Sequence, residues 1–163
     1  MKQIITFEEA LSQAANFCAG QERCRSKVEI WLRSKRIDQK SIELVLNKLE
    51  EEGFINEERY ARSFARGKFR MKGWGRVKII TDLKLFRISP ENISIGLTEI
   101  DEEEYLAMLE KLLRKKDDTI PADRDDHDRR VKLVQFGYSK GYEMEHVYRI
   151  VDKIINKIIY FLI

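Results

Sequence analysis

Apolar side chains recur along this chain at helical intervals. Phe7, Ala10, Leu11, Ala14, Ala15 and Cys18 stand at i, i+3, i+4, i+7, i+8 and i+11, and Thr6 with Glu9 makes a capping box ahead of them. Ser26 with Glu29 repeats the capping signal before Val28, Ile30, Trp31 and Leu32. Asp38 can cap a third set, Ile42, Val45, Leu46 and Leu49, which Gly53 closes. The same grammar continues. Asn56 opens a helix through Tyr60, Ala61, Phe64, Ala65 and Phe69; Gly73 and Gly75 break it; a helix from about Arg76 carries Ile79, Ile80 and Leu83. Ser89-Pro90-Glu91 starts another with proline in the first turn, and Asp101 to Glu104 cap one through Leu106, Leu109, Leu112 and Leu113. No segment alternates as a strand would, and no Asn-Gly or Asp-Gly hairpin signal is present. The pattern predicts an all-α protein.

The helices also repeat as a set. A shift of 51 residues lays Val28, Leu32, Ile37, Ile42, Leu46 and Leu49 onto Ile79, Leu83, Ile88, Ile93, Leu97 and Ile100, and Ala10 and Ala14 onto Ala61 and Ala65. A shift of 105 carries Val28, Ile37, Ile42, Leu46 and Leu49 to Leu133, Tyr142, Val147, Val151 and Ile154, while the Leu32 position becomes Gly137. Agreement across two helices and the loop between them predicts three tandem three-helix repeats, at residues 1–54, 55–101 and 102–163, the third with an acidic loop at 115–128. Units this small have little core of their own and gain by stacking, so an elongated, curved array is expected.

Composition narrows the chemistry. The chain has 163 residues, 36% of them charged, with only eight glycines and two prolines. Two cysteines, Cys18 and Cys24, are too few for a disulfide framework and lack zinc-site spacing, so reduced thiols in the cytoplasm are expected. The first residues offer no apolar run long enough for a signal peptide, and Ile154 to Ile163, the most apolar stretch, is about half the length of a membrane span. His127 and His146 are the only histidines, and neither has the surroundings of a nucleophile site. Asp123, Asp125, Asp126, His127 and Asp128 lack the glycine and closing glutamate of a calcium loop, and Gly73-Trp74-Gly75 lacks the third glycine and preceding strand of a dinucleotide loop. No enzyme activity, metal or cofactor is expected, and the two glycines are read as a tight corner.

Charge changes the picture most. The net value of +3 conceals a polarised chain: residues 59–87 hold ten basic side chains against Asp82 alone, and residues 88–163 carry a net −4. Arg59, Arg62 and Arg66 lie at helical spacing; Lys68, Arg70, Lys72, Arg76 and Lys78 continue the run, with Trp74 among them. With so few acids nearby in sequence, this segment is expected to be a binding surface, able to follow a phosphate backbone or meet an acidic protein face.

The stretch Glu52-Gly53-Phe54-Ile55-Asn56-Glu57-Glu58-Arg59-Tyr60-Ala61-Arg62-Ser63-Phe64-Ala65-Arg66 resembles the signature of the RecX family, regulators of the RecA recombinase. Lys72-Gly73-Trp74-Gly75-Arg76-Val77-Lys78-Ile79 is similar to that family's second motif, and Lys132 to Tyr142 resembles its basic-glycine-aromatic turn. Three departures stand out: Asn56 replaces a usual aspartate, Arg87 precedes Ile88 where the family often has Gly-Ile, and Gly137 stands at a leucine position. The resemblance implies three tandem three-helix repeats and a non-enzymatic regulator lodged in the groove of the RecA–DNA filament, blocking extension and favouring disassembly. By motif position, the expected contact set for the filament or for DNA is Arg59, Arg62, Arg66, Lys68, Arg70, Lys72, Trp74, Arg76 and Lys78. The expected partners are RecA and single- or double-stranded DNA held weakly by its backbone, with no membrane and a monomeric chain. Two other readings suit the same residues: a helical nucleic-acid-binding module acting without RecA, and a helical-repeat scaffold for peptides. The apolar Ile158 to Ile163 is expected to pack back onto the third repeat.

Overall fold

The structure, a computed structural model, describes residues 5–160, with side chains as far as residue 156. The expected packing of Ile158 to Ile163 therefore lies outside the described side chains. Among the described residues the chain forms nine helices and no strand, an all-α helical repeat fold: α1 Phe7–Ala19, α2 Arg25–Ser34, α3 Gln39–Glu51, α4 Glu57–Lys72, α5 Arg76–Leu85, α6 Pro90–Leu97, α7 Glu102–Asp117, α8 Asp126–Lys140 and α9 Met144–Tyr160. Most helix starts carry the caps that the sequence announces. Thr6 and Glu9 form the reciprocal capping box. Asp38, Asp101 and Asp125 accept from the third amide of their helices, Asn56 Oδ1 accepts from the Arg59 amide at 2.8 Å, and Ser89 Oγ from the Asn92 amide at 3.2 Å.

Two expectations fail at helix ends. Ser26 does not cap α2, which begins at Arg25 behind Cys24 with no side-chain cap; the buried Ser26 hydroxyl instead donates to the Phe86 carbonyl at 2.8 Å. The acidic loop is shorter than 115–128, because α7 runs on through Asp117 and α8 already starts at Asp126. Lysines suit the last turn of a helix and aspartates the first, so both ends of the loop extend the helices.

The chain groups into two compact units. The first comprises the chain up to Phe64 together with Leu83–Gly96; the second comprises Ala65–Asp82 together with the chain from Leu97 on. In the first unit α1, α2 and α3 close on a core of Ala10, Ala14, Cys18, Val28, Leu32, Ile42, Val45, Leu46, Leu49 and Ile55. Gly96 of α6 meets α4 here so closely that an added Cβ would stand 2.8 Å from the Ala61 carbonyl oxygen. In the second, α7, α8 and α9 bury Tyr105, Leu109, Leu113, Leu133, Tyr142, Val147 and Val151, with Ala65, Phe69 and Ile79 also inside. The sequence shifts find the core: of the matched positions only Ile37 and Leu97 are less than buried. At Gly137 the missing side chain is replaced by Val147, whose γ-carbons would lie 2.8 and 2.9 Å from a Cβ there.

The backbone repeats as well. Arg36 and Arg87 have φ of 60°, and Gly141 has φ of 86°, so the residue after the second helix is left-handed at all three repeat-equivalent positions. At the latter two corners the next amide reaches back to close the helix, Ile88 to Leu83 O at 3.0 Å and Tyr142 to Gly137 O at 3.3 Å. A left-handed arginine costs about 1–2 kcal/mol relative to its ordinary conformations, whereas glycine adopts this conformation freely. Arg87→Gly should therefore raise stability by about 0.5–1 kcal/mol, since glycine gives back part of the gain in the unfolded chain. The lost Arg87–Glu29 pair, 3.4 Å long with the arginine 76% exposed, offsets little. Thermal denaturation of the parent and variant measures this directly.

Each unit also contains the same kind of junction. In the first, the start of α2 meets the corner after α5 through the Ser26–Phe86 bond; in the second, the start of α5 meets the corner after α8.

Candidate functional site

The second junction positions most of the basic segment. Gly73, at φ 63°, ends α4, and the Trp74 amide reaches back to Lys68 O at 3.2 Å. The chain then turns into α5 without a side-chain cap. Its first amides are taken by other elements: Gly75 N–H donates to Lys140 O at 2.8 Å, Arg76 N–H to the Tyr105 hydroxyl at 2.9 Å, and Val77 N–H to Gly141 O at 2.9 Å. The two motifs around Gly73-Trp74-Gly75 and Lys140-Gly141-Tyr142 are thus the two sides of one contact. Gly75 is glycine because of it: a Cβ there would stand 2.2 Å from the Gly141 carbonyl oxygen.

Most arginines of the basic segment are paired, several with acids distant in sequence that a local count does not register. In the first unit, Arg59 Nε bonds Glu22 at 2.6 Å and Arg62 Nε bonds Glu58 at 3.0 Å. In the second, Arg66 pairs with Glu99 at 3.0 Å and Arg76 with Glu102 at 2.5 Å and Glu143 at 3.6 Å. Arg70 meets Glu104 only at 3.7 Å with both side chains 57% exposed, a pair that water and salt screen. Lys72 is exposed and makes no ion pair among the described residues. Trp74, half-buried, lies between two ammonium groups, Lys68 Nζ at 4.6 Å and Lys78 Nζ at 4.5 Å from its ring centre. The part of the predicted set that the second unit holds together is therefore Lys68, Arg70, Lys72, Trp74 and Lys78. Arg76 is occupied with structure.

The residue that organises Arg76 is Tyr105, which the leucine ladder of α7 conceals. Leu106, Leu109, Leu112 and Leu113 suggest the buried stripe, yet the fully buried positions are Tyr105, Leu109 and Leu113, four residues apart. The Tyr105 hydroxyl accepts from Arg76 N–H and donates to Glu143 Oε2 at 2.6 Å, and the Arg76 guanidinium lies 4.0 Å over its ring. Burial, then the bond to Glu143, push its ionisation well above the ordinary tyrosine range. Tyr142 packs against it with tilted rings, centres 4.8 Å apart, and burial likewise pushes that phenol upward.

The candidate catalytic and metal residues find structural partners. Asp125 caps α8, Asp128 pairs with Arg124 at 3.1 Å, and Asp126 pairs with Arg129 at 2.8 Å. Among the described residues no group of three histidine, cysteine or acidic side chains could hold a metal ion, and no helix is long and apolar enough to cross a membrane. Cys18 and Cys24 are buried free thiols.

Fold and site together define a class: an all-α repeat protein whose charged motifs serve as helix junctions and flank a half-buried tryptophan with lysines. Comparison with known proteins makes the assignment specific. The family description "RecX, second three-helix domain" matches residues 56–97, and "RecX, third three-helix domain" matches residues 102–151. A regulatory protein RecX of Pseudomonas fluorescens is 30% identical over 141 residues, covering 85% of this chain and 87% of that one. One from Streptomyces coelicolor is 27% identical over 143 residues, covering 86% and 76%. The crystal structure of RecX from Lactobacillus salivarius superposes with a TM-score of 0.79 at 22% identity, covering 90% of this chain and 95% of that one, a likeness of fold. The chain belongs to the RecX family of regulatory proteins.

Proposed function

We propose that this protein regulates a RecA-type recombinase, mainly by inhibition, and does so by binding the recombinase–DNA filament through the corner between α4 and α5. The observation that carries the reading is Trp74 flanked by Lys68 and Lys78, beside the exposed Lys72 and the loosely held Arg70. Cations flanking a half-buried indole suit a surface built of phosphate and protein, because the ammonium groups can meet anions while the ring supplies contact area. The role is binding without chemistry. Family membership supports a cytoplasmic regulatory role.

The test adds the purified protein to RecA filaments on single-stranded DNA and follows ATP hydrolysis. Stoichiometric protein should inhibit, and Arg70→Glu with Lys72→Glu should lose most of that inhibition while melting at the parent's temperature, since neither side chain is tied into the fold. No inhibition by the parent sinks the proposal. Tight binding to free single-stranded DNA without an effect on the filament favours the independent nucleic-acid module instead. In that case about five phosphate contacts would give a slope near −3.5 for log affinity against log salt.

A further inference from the structure

A second set of lysines in the second unit has no role in the site described above. Lys116 lies in the last turn of α7, and Lys132 and Lys140 belong to α8; none of them makes an ion pair among the described residues. The arginines of the same stretch are all committed. Arg114 pairs with Glu110 at 2.7 Å, Arg124 with Asp128, Arg129 with Asp117 at 2.8 Å, and Arg130 with Asp152. Asp117 and Asp128 are thereby answered. Asp118 and Asp123 are exposed without an ion pair among the described residues.

These lysines gather around one ring. Phe136 is half-buried, with Lys140 Nζ at 5.6 Å and Lys116 Nζ at 5.8 Å from its centre. Both distances fall near the outer limit, about 6 Å, of cation–π attraction, so the ammonium groups are held loosely and can turn to a better anion. The ring and its neighbours line a recess of about 410 Å³ with Lys116, Lys132, Thr119, Gln135 and Ser139 on its walls. That volume is within the range of small-molecule sites. The Thr119 and Ser139 hydroxyls donate to the Lys116 and Phe136 carbonyls at 2.6 and 2.8 Å, which leaves the ammonium groups and the Gln135 amide as the donors facing an occupant.

We propose that this recess takes one nucleotide of a single-stranded nucleic acid, with the base against Phe136 and its phosphate on Lys116 and Lys132. An unpaired base offers a free face for stacking, and a nucleotide joins such a face to a compact anion. Gln135 can donate and accept, which matches a base edge. An acidic peptide would use the lysines and leave the ring idle.

The experiment uses the full chain and a fluorescent oligothymidylate, with no recombinase present, so its failure leaves the filament reading where it stands. Anisotropy across a salt series gives affinity and slope for the parent, for Lys116→Ala with Lys132→Ala, and for Phe136→Leu. Removing the two lysines should make the salt slope shallower by about 1.4. Phe136→Leu should weaken binding about 5- to 100-fold, the range expected for one lost base stack, at an unchanged slope. Iodouridine placed in the strand should crosslink to α8 near Phe136. The proposal is overturned if the parent does not bind at low salt, if both variants match the parent in affinity and slope, or if crosslinks fall only on α5. It is equally overturned if oligoglutamate displaces the strand and binds Phe136→Leu as tightly as the parent. Unchanged melting temperatures of the variants exclude loss of fold as the cause of any effect.

Discussion

Gly75→Ala should cost the second unit at least about 4 kcal/mol, enough to remove its cooperative melting, although it adds one methyl group. The added carbon would stand 2.2 Å from Gly141 O, 2.4 Å from Gly141 C and 2.5 Å from Tyr142 N, all backbone atoms with no rotamer to change. Relief requires the start of α5 to move off the corner after α8. That movement breaks the Gly75–Lys140 and Val77–Gly141 bonds and leaves two amides and two carbonyls to find other partners. Gly141→Ala should be at least as damaging, because its Cβ would meet Lys78 Cβ at 2.3 Å and its φ of 86° disfavours any side chain. Gly67→Ala is the control. Nothing lies within 4 Å of a Cβ there, and alanine inside a helix is preferred to glycine by roughly 0.5–1 kcal/mol, so this variant should melt slightly higher. Near-ultraviolet circular dichroism and thermal melts distinguish these outcomes; a Gly75→Ala protein that melts like the parent would refute the junction as the keystone of the second unit.

The sequence carries the helices and the repeat legibly because both are periodic properties of the main chain. Val28, Ile79 and Leu133 are alike because each faces a core at the same turn of an equivalent helix, and all three are fully buried. The left-handed corner was visible only as a departure from the family, Arg87 in place of glycine, and the geometry turns that departure into a statement about strain. Charge was the least legible feature. A count along residues 59–87 cannot register Glu99, Glu102, Glu104 and Glu143, which later segments of the chain bring to Arg66, Arg76 and Arg70. The local excess is therefore real in sequence and much reduced in space. Ser26 misled for a related reason: a serine three residues before a glutamate has the form of a cap, and only the tertiary position of Phe86 gives its hydroxyl a better acceptor.

Tyr105→Phe is expected to lower stability by about 2 kcal/mol, or roughly 4–8 °C in melting temperature for a chain of this size. The ring and its packing on Phe69 and Tyr142 all remain, so the effect isolates the hydroxyl. Without that oxygen the Arg76 amide loses its acceptor at the start of α5, and Glu143 loses its shortest hydrogen bond, at 2.6 Å, keeping only the 3.6 Å contact with Arg76. The same substitution should alter the response to alkali. Tyr105 ionises at higher pH in the folded protein than in the unfolded chain, so folding holds its proton more tightly, and the stability this contributes is intact below about pH 10 and declines as pH rises above it. The parent should therefore lose stability more steeply than Tyr105→Phe between about pH 10 and 11, and the gap between their melting temperatures should narrow. Parallel melts across that range decide the matter: a constant gap would mean that folding does not hold the Tyr105 proton, whereas a closing gap shows that it does, through burial first and the bond to Glu143 second.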